Sequence, residues 1–285
     1  METRLARKEA AVRASVRALG RVVVAFSGGV DSATLAALAH DELGADALAV
    51  TAASPSLSAR ELRGARALAS SRGWNHVLVR TGEMERDEYA RNEPDRCYWC
   101  KTELFEVLAP LARARDATVL VGTNADDRGD FRPGQAAGRE HGARTPLADA
   151  GLTKADVRAL ARRLGLDVAD KPASPCLASR IAYGVRVTPE RLRRVERAEE
   201  AVRSLGFEIL RVRDHGELAR IEVPPADIAR AASAYARLSD ALLALGFRYV
   251  TLDLAGFRSG SMNEVLPGPV LRASGPDQGV EIGAP

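Results

Sequence analysis

The sequence contains few lysines, few aromatic residues and only three cysteines. Four of its 41 lysines and arginines are lysines, at positions 8, 101, 154 and 171, so 37 are arginines. Because arginine is so abundant, a single arginine is weak evidence of a binding site. Two of the lysines, Lys101 and Lys171, lie near cysteines in the sequence. The net charge of +3 is too small to indicate nucleic-acid binding by itself.

Long apolar runs are also missing. No stretch approaches the ~18 apolar residues of a membrane-spanning helix. The first eight residues lack the apolar region of a signal peptide, so we expect a cytoplasmic protein that does not bind membranes. Three cysteines in such a chain do not form a disulfide framework and require a chemical explanation. A chain of 285 residues is long enough for one large or two modest domains.

The most informative segment is an apolar run that begins at Val22 and ends in Ser-Gly-Gly-Val-Asp-Ser at 27–32. The pattern predicts a strand, a tight turn and a helix whose inner face carries Leu35 and Leu38. Glycines in the turn allow backbone N–H groups to converge on an anion at the positive end of the helix. The loop has no Gly-Lys-Ser/Thr ending, so it is not a Walker A loop. It nevertheless predicts a phosphate site.

Strand and helix patterns alternate between residues 21 and 122. This order predicts an α/β fold with a doubly wound parallel sheet, whose phosphate loop lies at the carboxyl end of the first strand. The predicted strands are 21–26, 47–51, 77–79 and 118–121, and the predicted helices are 31–43, 58–71, 98–115 and 153–164. Residues 124–142 are predicted to form a functional loop, and residues 170–183 an irregular segment.

A different pattern begins at Thr188. A helix (188–205), two strands (207–213 and 218–223), a helix (226–245) and a strand (248–254) predict a smaller α+β domain on an antiparallel sheet. We therefore expect an ATP-binding domain at 1–170, a loop carrying Cys176 at 171–187, a substrate domain at 188–265 and a frayed tail at 266–285.

The cysteines occur as a Cys-x-x-Cys pair, Cys97 and Cys100, and a distant Cys176 in a proline-rich segment. A redox dithiol would need only the pair. Zinc would need a fourth ligand, such as His40 or His141. A four-iron four-sulfur cluster held by three thiolates would keep one iron open for an external ligand. A further hypothesis is that the cysteines have no chemical role and pack as small apolar residues. The spacing alone does not distinguish a zinc site from an iron–sulfur cluster.

Further motifs follow the phosphate loop in a family-specific order. Together they resemble the LarE family of ATP-dependent sulfur transferases, whose loop is the PP-loop of the ATP pyrophosphatases. The resemblance spans about residues 15–264 and is most specific in Pro-Cys-Leu-Ala-Ser-Arg at 175–180. The motifs lie at 27–32, 97–101, 122–127, 132–134, 171–180, 211–213, 219–223 and 256–260.

This resemblance implies a reaction. ATP, with Mg²⁺ on its phosphates, would adenylate a carboxylate of a pyridinium dicarboxylate mononucleotide and release pyrophosphate. A sulfur nucleophile would then replace AMP, giving a thiocarboxylate for a nickel-pincer cofactor. In one branch of the family the cysteine matching Cys176 is itself consumed as the donor. In another, cysteines matching Cys97, Cys100 and Cys176 hold a four-iron four-sulfur cluster that delivers sulfide, and the family implies a homo-oligomer.

The resemblance also implies roles for individual residues. We expect Cys176 to be the nucleophile and sulfur donor or a cluster ligand, and Asp31 to be an indirect partner of Mg²⁺. The residues expected to bind nucleotide are Ala25, Ser27, Gly28, Gly29, Asp31, Ser32, Gly122 and Asp126. Those expected to bind substrate are Ser179, Arg180, Arg211, Arg213 and Arg258. Two alternatives stay open: a tRNA-thiolating PP-loop enzyme, and a non-catalytic sensor of adenine nucleotides or iron–sulfur clusters.

Overall fold

The computed structural model describes residues 2–129, 133–258, 261–264 and 266. Its strands are β1 (Val22–Ala25), β2 (Ala47–Ala53), β3 (His76–Arg80), β4 (Thr118–Val121), β5 (Arg211–Asp214), β6 (Leu218–Glu222) and β7 (Tyr249–Leu252). The helices are α1 (Glu2–Leu19), α2 (Val30–Leu43), α3 (Ala59–Ser71), α4 (Asp87–Ala90), α5 (Arg96–Ala114), α6 (Gly134–Glu140), α7 (Pro146–Asp149), α8 (Lys154–Arg163), α9 (Pro189–Ser204), α10 (Ile228–Ser233) and α11 (Tyr235–Leu243). No helix in the described part of the chain is long and apolar enough to cross a membrane.

The first four strands form one parallel sheet in the order β3-β2-β1-β4, which confirms the α/β prediction. Valines of β1 are buried on both faces, as expected for a central strand between helical layers. Val22 and Val24 pack with α1, α2 and α8, whereas Val23 packs with α5 on the opposite face. The carboxyl ends of all four strands therefore share one edge of the sheet, where such folds bind ligands.

Helix α1 covers α2 and was not among the sequence predictions. Its Val12 and Val16 are fully buried, and Arg13 forms ion pairs with Glu42 on α2. Four-residue spacing of Val12 and Val16 is the signal that would have indicated this helix. α1 allows α2 to be buried along most of its length, which fixes the helix that begins at the phosphate loop.

The second sheet has the order β5-β6-β7, and the prediction of an antiparallel sheet was wrong for its second pair. β5 and β6 are antiparallel, but β6 and β7 are parallel because the chain crosses over through α10 and α11 between them. The single helix predicted for 226–245 is also interrupted, at Ala234, where no glycine or proline marks the break. The expected α+β composition of this part is confirmed.

Two predicted loops differ in detail from the structure. The region 124–142 contains α6, whose Gly134 and Gly138 allow close packing against Lys101 and Phe105 of α5. The segment 170–183 is irregular, as predicted, apart from one 3₁₀ turn at Leu177–Arg180. Arg132, residues 259–260 and the tail beyond Leu266 lie outside the described residues.

Candidate functional site

The predicted phosphate loop lies between β1 and α2. The Ser32 hydroxyl accepts a hydrogen bond from the Ser27 N–H at 3.2 Å and donates one to the Gly29 carbonyl at 3.0 Å, which closes the turn. Gly29 is the N-cap of α2, and no side chain caps the helix. The N–H groups of the first helical turn are therefore available to an anion.

Glycine is required at two positions around this loop. Gly28 has φ +74°, and a Cβ atom there would lie 2.9 Å from Cβ of Ala65 on α3. A Cβ atom on Gly122, which follows β4, would lie 2.8 Å from the backbone nitrogen of Ser32. Both glycines therefore allow neighbouring segments to approach the loop, and the nucleotide-binding role of Gly122 stays a prediction.

Polar groups from the segment after β4 and from the start of α8 contact Asp31, the acidic residue in the first turn of α2. The Asn124 side-chain amide donates to Asp31 Oδ1 at 3.3 Å, and the Lys154 ammonium forms an ion pair with Oδ2. Asp126 accepts the backbone N–H of Lys154 at 2.8 Å, so it joins the same network. Asn124 and Lys154 were missed, because each depends on a contact between segments distant in sequence.

Backbone contacts bring the Cys176 segment to the same edge of the sheet. The Leu177 N–H donates to the carbonyl of Ser56, which follows β2, at 2.8 Å. The Cys176 carbonyl accepts the Ser179 hydroxyl at 2.7 Å and an Arg180 guanidinium N–H at 3.0 Å. The carboxyl ends of β1 and β2 therefore bring the phosphate loop and Cys176 to one region, although 143 residues separate Gly28 from Lys171 at the start of this segment.

Cys100 and Cys176 pack against one apolar cluster, and Cys97 is exposed on the first turn of α5. The buried Arg96 donates to the Ala178 carbonyl at 2.9 Å. Burial alone would lower the pKa of Arg96, but the neighbouring sulfurs of Cys97 and Cys176 raise it overall. The thiols of Cys97 and Cys176 therefore share the surroundings of one cation, which suits thiolate ligands.

The thiol chemistry fits an iron–sulfur cluster, but the side chains are not arranged as a finished metal centre. Across the described ranges, no three Cys, His, Asp or Glu side chains are placed to hold a metal ion. Burial raises the pKa of Cys100 to about 12, and nearby Lys101 only partly offsets it. Metal binding at Cys100 would therefore have to displace a proton from a buried thiol.

This difference predicts unequal thiol reactivity in metal-free protein. At pH 8 we expect iodoacetamide to alkylate exposed Cys97 readily and Cys100 very slowly, since the thiolate is the nucleophile. Labelling of Cys100 should increase only as the pH approaches about 12. Peptide mass spectrometry over a time course measures both rates, and equal labelling at pH 8 would contradict the burial of Cys100.

Three of the four arginines expected to bind substrate already have carboxylate partners. Arg180 pairs with Glu199 at 3.0 Å, and both side chains are only 4% exposed. Arg213 pairs with Glu222 at 2.7 Å, and Arg258 forms two hydrogen bonds with Glu264. The Ser179 hydroxyl, expected to face the acyl group, is bonded to the Cys176 carbonyl.

Arg211 differs from these three. Among the described residues, no carboxylate is in ion-pair contact with it, and its guanidinium stands 5.2 Å from the ring centre of Phe257. Burial and the charges of Arg180 and Arg213 lower the pKa of Arg211 to about 10, against the opposing effect of Glu199. A half-buried guanidinium beside other arginines is the group in this region that would gain most from a bound anion.

The sequence comparisons match this arrangement. The asparagine synthase family profile matches residues 7–113, which include the phosphate loop. The chain is 42% identical over 264 residues to pyridinium-3,5-bisthiocarboxylic acid mononucleotide synthase of Lactiplantibacillus plantarum, covering 92% of this chain and 96% of that protein. The chain belongs to the LarE family. It is thus a PP-loop enzyme of the ATP-dependent sulfur transferase class, as the motifs predicted.

Two further relatives define the extent of the similarity. An uncharacterized protein of Synechocystis sp. strain PCC 6803 is 47% identical over 251 residues, which cover 87% of this chain and 94% of that protein. A tRNA-specific 2-thiouridylase of Anaplasma marginale is 32% identical over 192 residues, but these cover only 54% of this chain and 49% of the thiouridylase. LarE similarity therefore extends through both sheets, whereas thiouridylase similarity covers about half of either chain.

Proposed function

We propose that the protein uses ATP to adenylate a carboxylate of a pyridinium dicarboxylate mononucleotide and then converts the acyl adenylate to a thiocarboxylate. The observation that carries this proposal is the position of Cys176, which is held at the same sheet edge as the phosphate loop. The name of the Lactiplantibacillus relative supports the choice of substrate. Such a reaction would serve nickel-pincer cofactor synthesis.

In the first step a carboxylate oxygen attacks the α-phosphorus of ATP. The bond from that phosphorus to the bridging oxygen breaks, and pyrophosphate leaves with the bonding electron pair. N–H groups at the start of α2 and the turn at Gly28 and Gly29 are suited to hold the pyrophosphate. We assign ATP to this loop, to Ala25, Ser27 and Ser32 and to the adjoining Gly122 and Asp126, with Asp31 beside Mg²⁺.

In the second step sulfur bonds to the acyl carbon and AMP leaves with the carbon–oxygen electron pair. Arg211 is proposed to bind a carboxylate or the phosphate of the substrate, because it lacks a carboxylate partner in the described chain. Arg213, Arg258 and Ser179 are proposed to orient the substrate. Arg180 is proposed to act mainly by holding the Cys176 carbonyl.

Two sulfur sources are compatible with the thiols. We propose that Cys97, Cys100 and Cys176 hold a four-iron four-sulfur cluster, which when bound would supply an open iron position for external sulfide. Without it, Cys176 would give up its own sulfur: its Cβ–S bond breaks, a Cα proton is lost and dehydroalanine remains. The first source permits many turnovers with added sulfide, and the second permits one. We further propose a cytoplasmic homo-oligomer that binds no nucleic acid.

The products test the proposal. Protein prepared anaerobically with iron and sulfide is incubated with MgATP, sulfide and the pyridinium dicarboxylate mononucleotide. We expect AMP, pyrophosphate and a thiocarboxylate in equal amounts, measured by chromatography and mass spectrometry. ADP with orthophosphate would contradict adenylation, and thiolation of added tRNA instead of the mononucleotide would favour the thiouridylase alternative.

Intact-protein mass separates the two sulfur sources. If the cluster supplies sulfide, the polypeptide mass should remain unchanged after several turnovers, and Cys97→Ala or Cys100→Ala should abolish repeated turnover. Loss of one H₂S per transfer, mapped to position 176 even after anaerobic reconstitution, would contradict the cluster proposal.

Arg211→Ala is expected to weaken binding of the mononucleotide by about 10- to 100-fold, the usual effect of losing a charge-assisted hydrogen bond to an anion. ATP affinity should remain unchanged, since Arg211 lies on β5 of the second sheet. Isothermal titration calorimetry measures both constants. Arg248→Ala is the matched control, because Arg248 is exposed and forms an exposed ion pair with Glu217. Equal loss of both affinities would contradict a substrate role for Arg211.

A further inference from the structure

The phosphate loop contains no lysine, yet the fold places one beside it. Lys171 comes from the segment that leads to Cys176, and its Nζ lies 3.3 Å from the carbonyl oxygen of Gly28. The same atom lies 2.7 Å from Glu61 Oε2 on the first turn of α3. A cation that the loop sequence does not supply is therefore delivered by a residue 143 positions further along the chain.

Lys171 is held from two sides. The Arg158 guanidinium donates to the carbonyls of Ala169 at 2.9 Å and Lys171 at 3.1 Å. These hydrogen bonds hold the main chain from which the Lys171 side chain extends. The ion pair with Glu61 holds the ammonium end of the side chain. The position of Glu61 after Ser58 predicts a capping box, and the Ser58 hydroxyl does accept the Glu61 N–H at 3.2 Å. The Glu61 carboxylate, however, points to Lys171.

Among the described residues, the ammonium has partners for two of its donors and retains one unused donor. A lysine carries three N–H donors, and two of those of Lys171 face Gly28 and Glu61. The third can reach an oxygen of a phosphate held by the same loop without breaking either contact. Lysine also suits a crowded loop better than arginine, because its charge is compact. Lysine occupies this position in a chain where 37 of 41 lysines and arginines are arginine.

We propose that Lys171 binds the β,γ-phosphates of ATP in the loop and neutralises the charge that develops on the leaving pyrophosphate. Lys171 is then a catalytic residue for the adenylation step. The ammonium of Lys171 lies 2.7 Å from Glu61, whereas the ammonium of Lys154 is already paired with Asp31 of the loop. This inference rests on the adenylation chemistry of the proposed function and deepens it.

A purely structural role for Lys171 makes a different prediction. If its only task were to tie the Cys176 segment to α3, removing either partner of the Lys171–Glu61 ion pair would have the same effect. The relevant variants are Lys171→Met, which keeps the aliphatic stem without the charge, and Glu61→Gln, which removes the ion pair but keeps the lysine. Arg162→Gln is the control, since Arg162 forms an exposed ion pair with Asp170 close to Lys171 in sequence.

Calorimetric titration with magnesium pyrophosphate, and separately with AMP, tests the proposal. For Lys171→Met we expect pyrophosphate affinity to fall by about 10- to 100-fold, while AMP affinity stays the same. Arg162→Gln should retain pyrophosphate affinity within about threefold of the parent protein. Glu61→Gln, which removes one contact of the lysine but keeps its charge, should lose less affinity than Lys171→Met. A rate of pyrophosphate release reduced in Lys171→Met at saturating ATP and mononucleotide would support the role at the leaving group.

Two results would overturn the inference. One is unchanged pyrophosphate affinity in Lys171→Met, and the other is an equal loss in Lys171→Met and Glu61→Gln. A thermal melt of each variant shows whether it is folded, and Lys171→Ala replaces Lys171→Met if the longer side chain disturbs the loop. If the parent protein itself bound neither pyrophosphate nor ATP, the proposed function would fail, which is a separate outcome.

Discussion

Cys176→Ala is expected to abolish thiocarboxylate formation, and with it the release of AMP, while leaving the release of pyrophosphate in place. Cys176 would supply the sulfur in one proposed mechanism and would be an iron ligand of the cluster in the other, so both mechanisms require it. The proposed ATP site consists of the loop after β1 and the segments after β4, and Cys176 takes no part in the hydrogen bonds of these segments among the described residues. Coupled assays for pyrophosphate and mass spectrometry of the acyl product measure the two half-reactions separately.

Cys176→Ser is the matched control for folding, since serine preserves the size of the side chain. Its thermal midpoint should equal that of the parent protein, because the contacts of this residue with Ser179 and Arg180 use its carbonyl oxygen. Residual catalytic thiocarboxylate formation in either variant would contradict the assignment of Cys176. Loss of pyrophosphate release in both variants would show that the two half-reactions are not separable.

Arg180→Ala is expected to lower the free energy of unfolding by about 3 kcal/mol, the usual cost of leaving one member of a buried ion pair uncompensated. Glu199 is buried with Arg180, and its remaining partner, Arg203, is more exposed. The Cys176 segment would also lose the guanidinium that donates to its carbonyl. Urea denaturation followed by circular dichroism measures the change.

The stability lost in Arg180→Ala should become smaller as the pH is lowered. Burial would raise the pKa of Glu199, but Arg180 and its neighbours lower it overall. In the parent protein the carboxylate therefore contributes stability above its ordinary pKa of 4.5, which is lost as the pH falls through the lowered value. In Arg180→Ala this pKa should rise, so the stability difference should shrink as the pH falls below 4.5. A difference independent of pH would contradict the ion-pair explanation.

Arg211→Ala is expected to affect the free energy of unfolding differently from Arg180→Ala. Because burial and neighbouring arginines disfavour the charge of Arg211, its removal should leave the free energy of unfolding unchanged or raise it. Two arginines that the sequence motifs place in the same predicted group therefore have opposite expected effects on stability. A large destabilisation by Arg211→Ala would show that its contacts with the Leu210 and Ala173 carbonyls outweigh this repulsion.

Local patterns in the sequence were sufficient to predict the first sheet and the phosphate loop. The valines of β1, the glycines of the turn and the amphipathic start of α2 all act between residues close in sequence. The crossover that makes β6 and β7 parallel depends on how α10 and α11 pack against the sheet, which no local pattern records. For the same reason the sequence predicted two antiparallel pairs where the structure has one.

The site was predicted less completely than the fold. Motif matching identified the arginines at 180, 211 and 213, but it treated them alike, because a sequence does not show which of them meets a buried carboxylate. Glu199 and Glu222, which decide this, come from other elements. Lys171 was noticed for its proximity to a cysteine and as the first residue of the 171–180 motif, but no role was assigned to it, since its contact with Gly28 depends on the folded chain.

The segment around Cys176 is held by main-chain atoms on both sides: Leu177 bonds to the carbonyl of Ser56, and Ala182 to that of Asp214. None of these bonds uses the sulfur. If Cys176 were consumed in a single transfer, the exhausted molecule would therefore keep its shape and both binding regions. Exhausted copies would then compete with fresh ones for ATP and for the mononucleotide, so the rate in a closed reaction would fall faster than the supply of intact thiol.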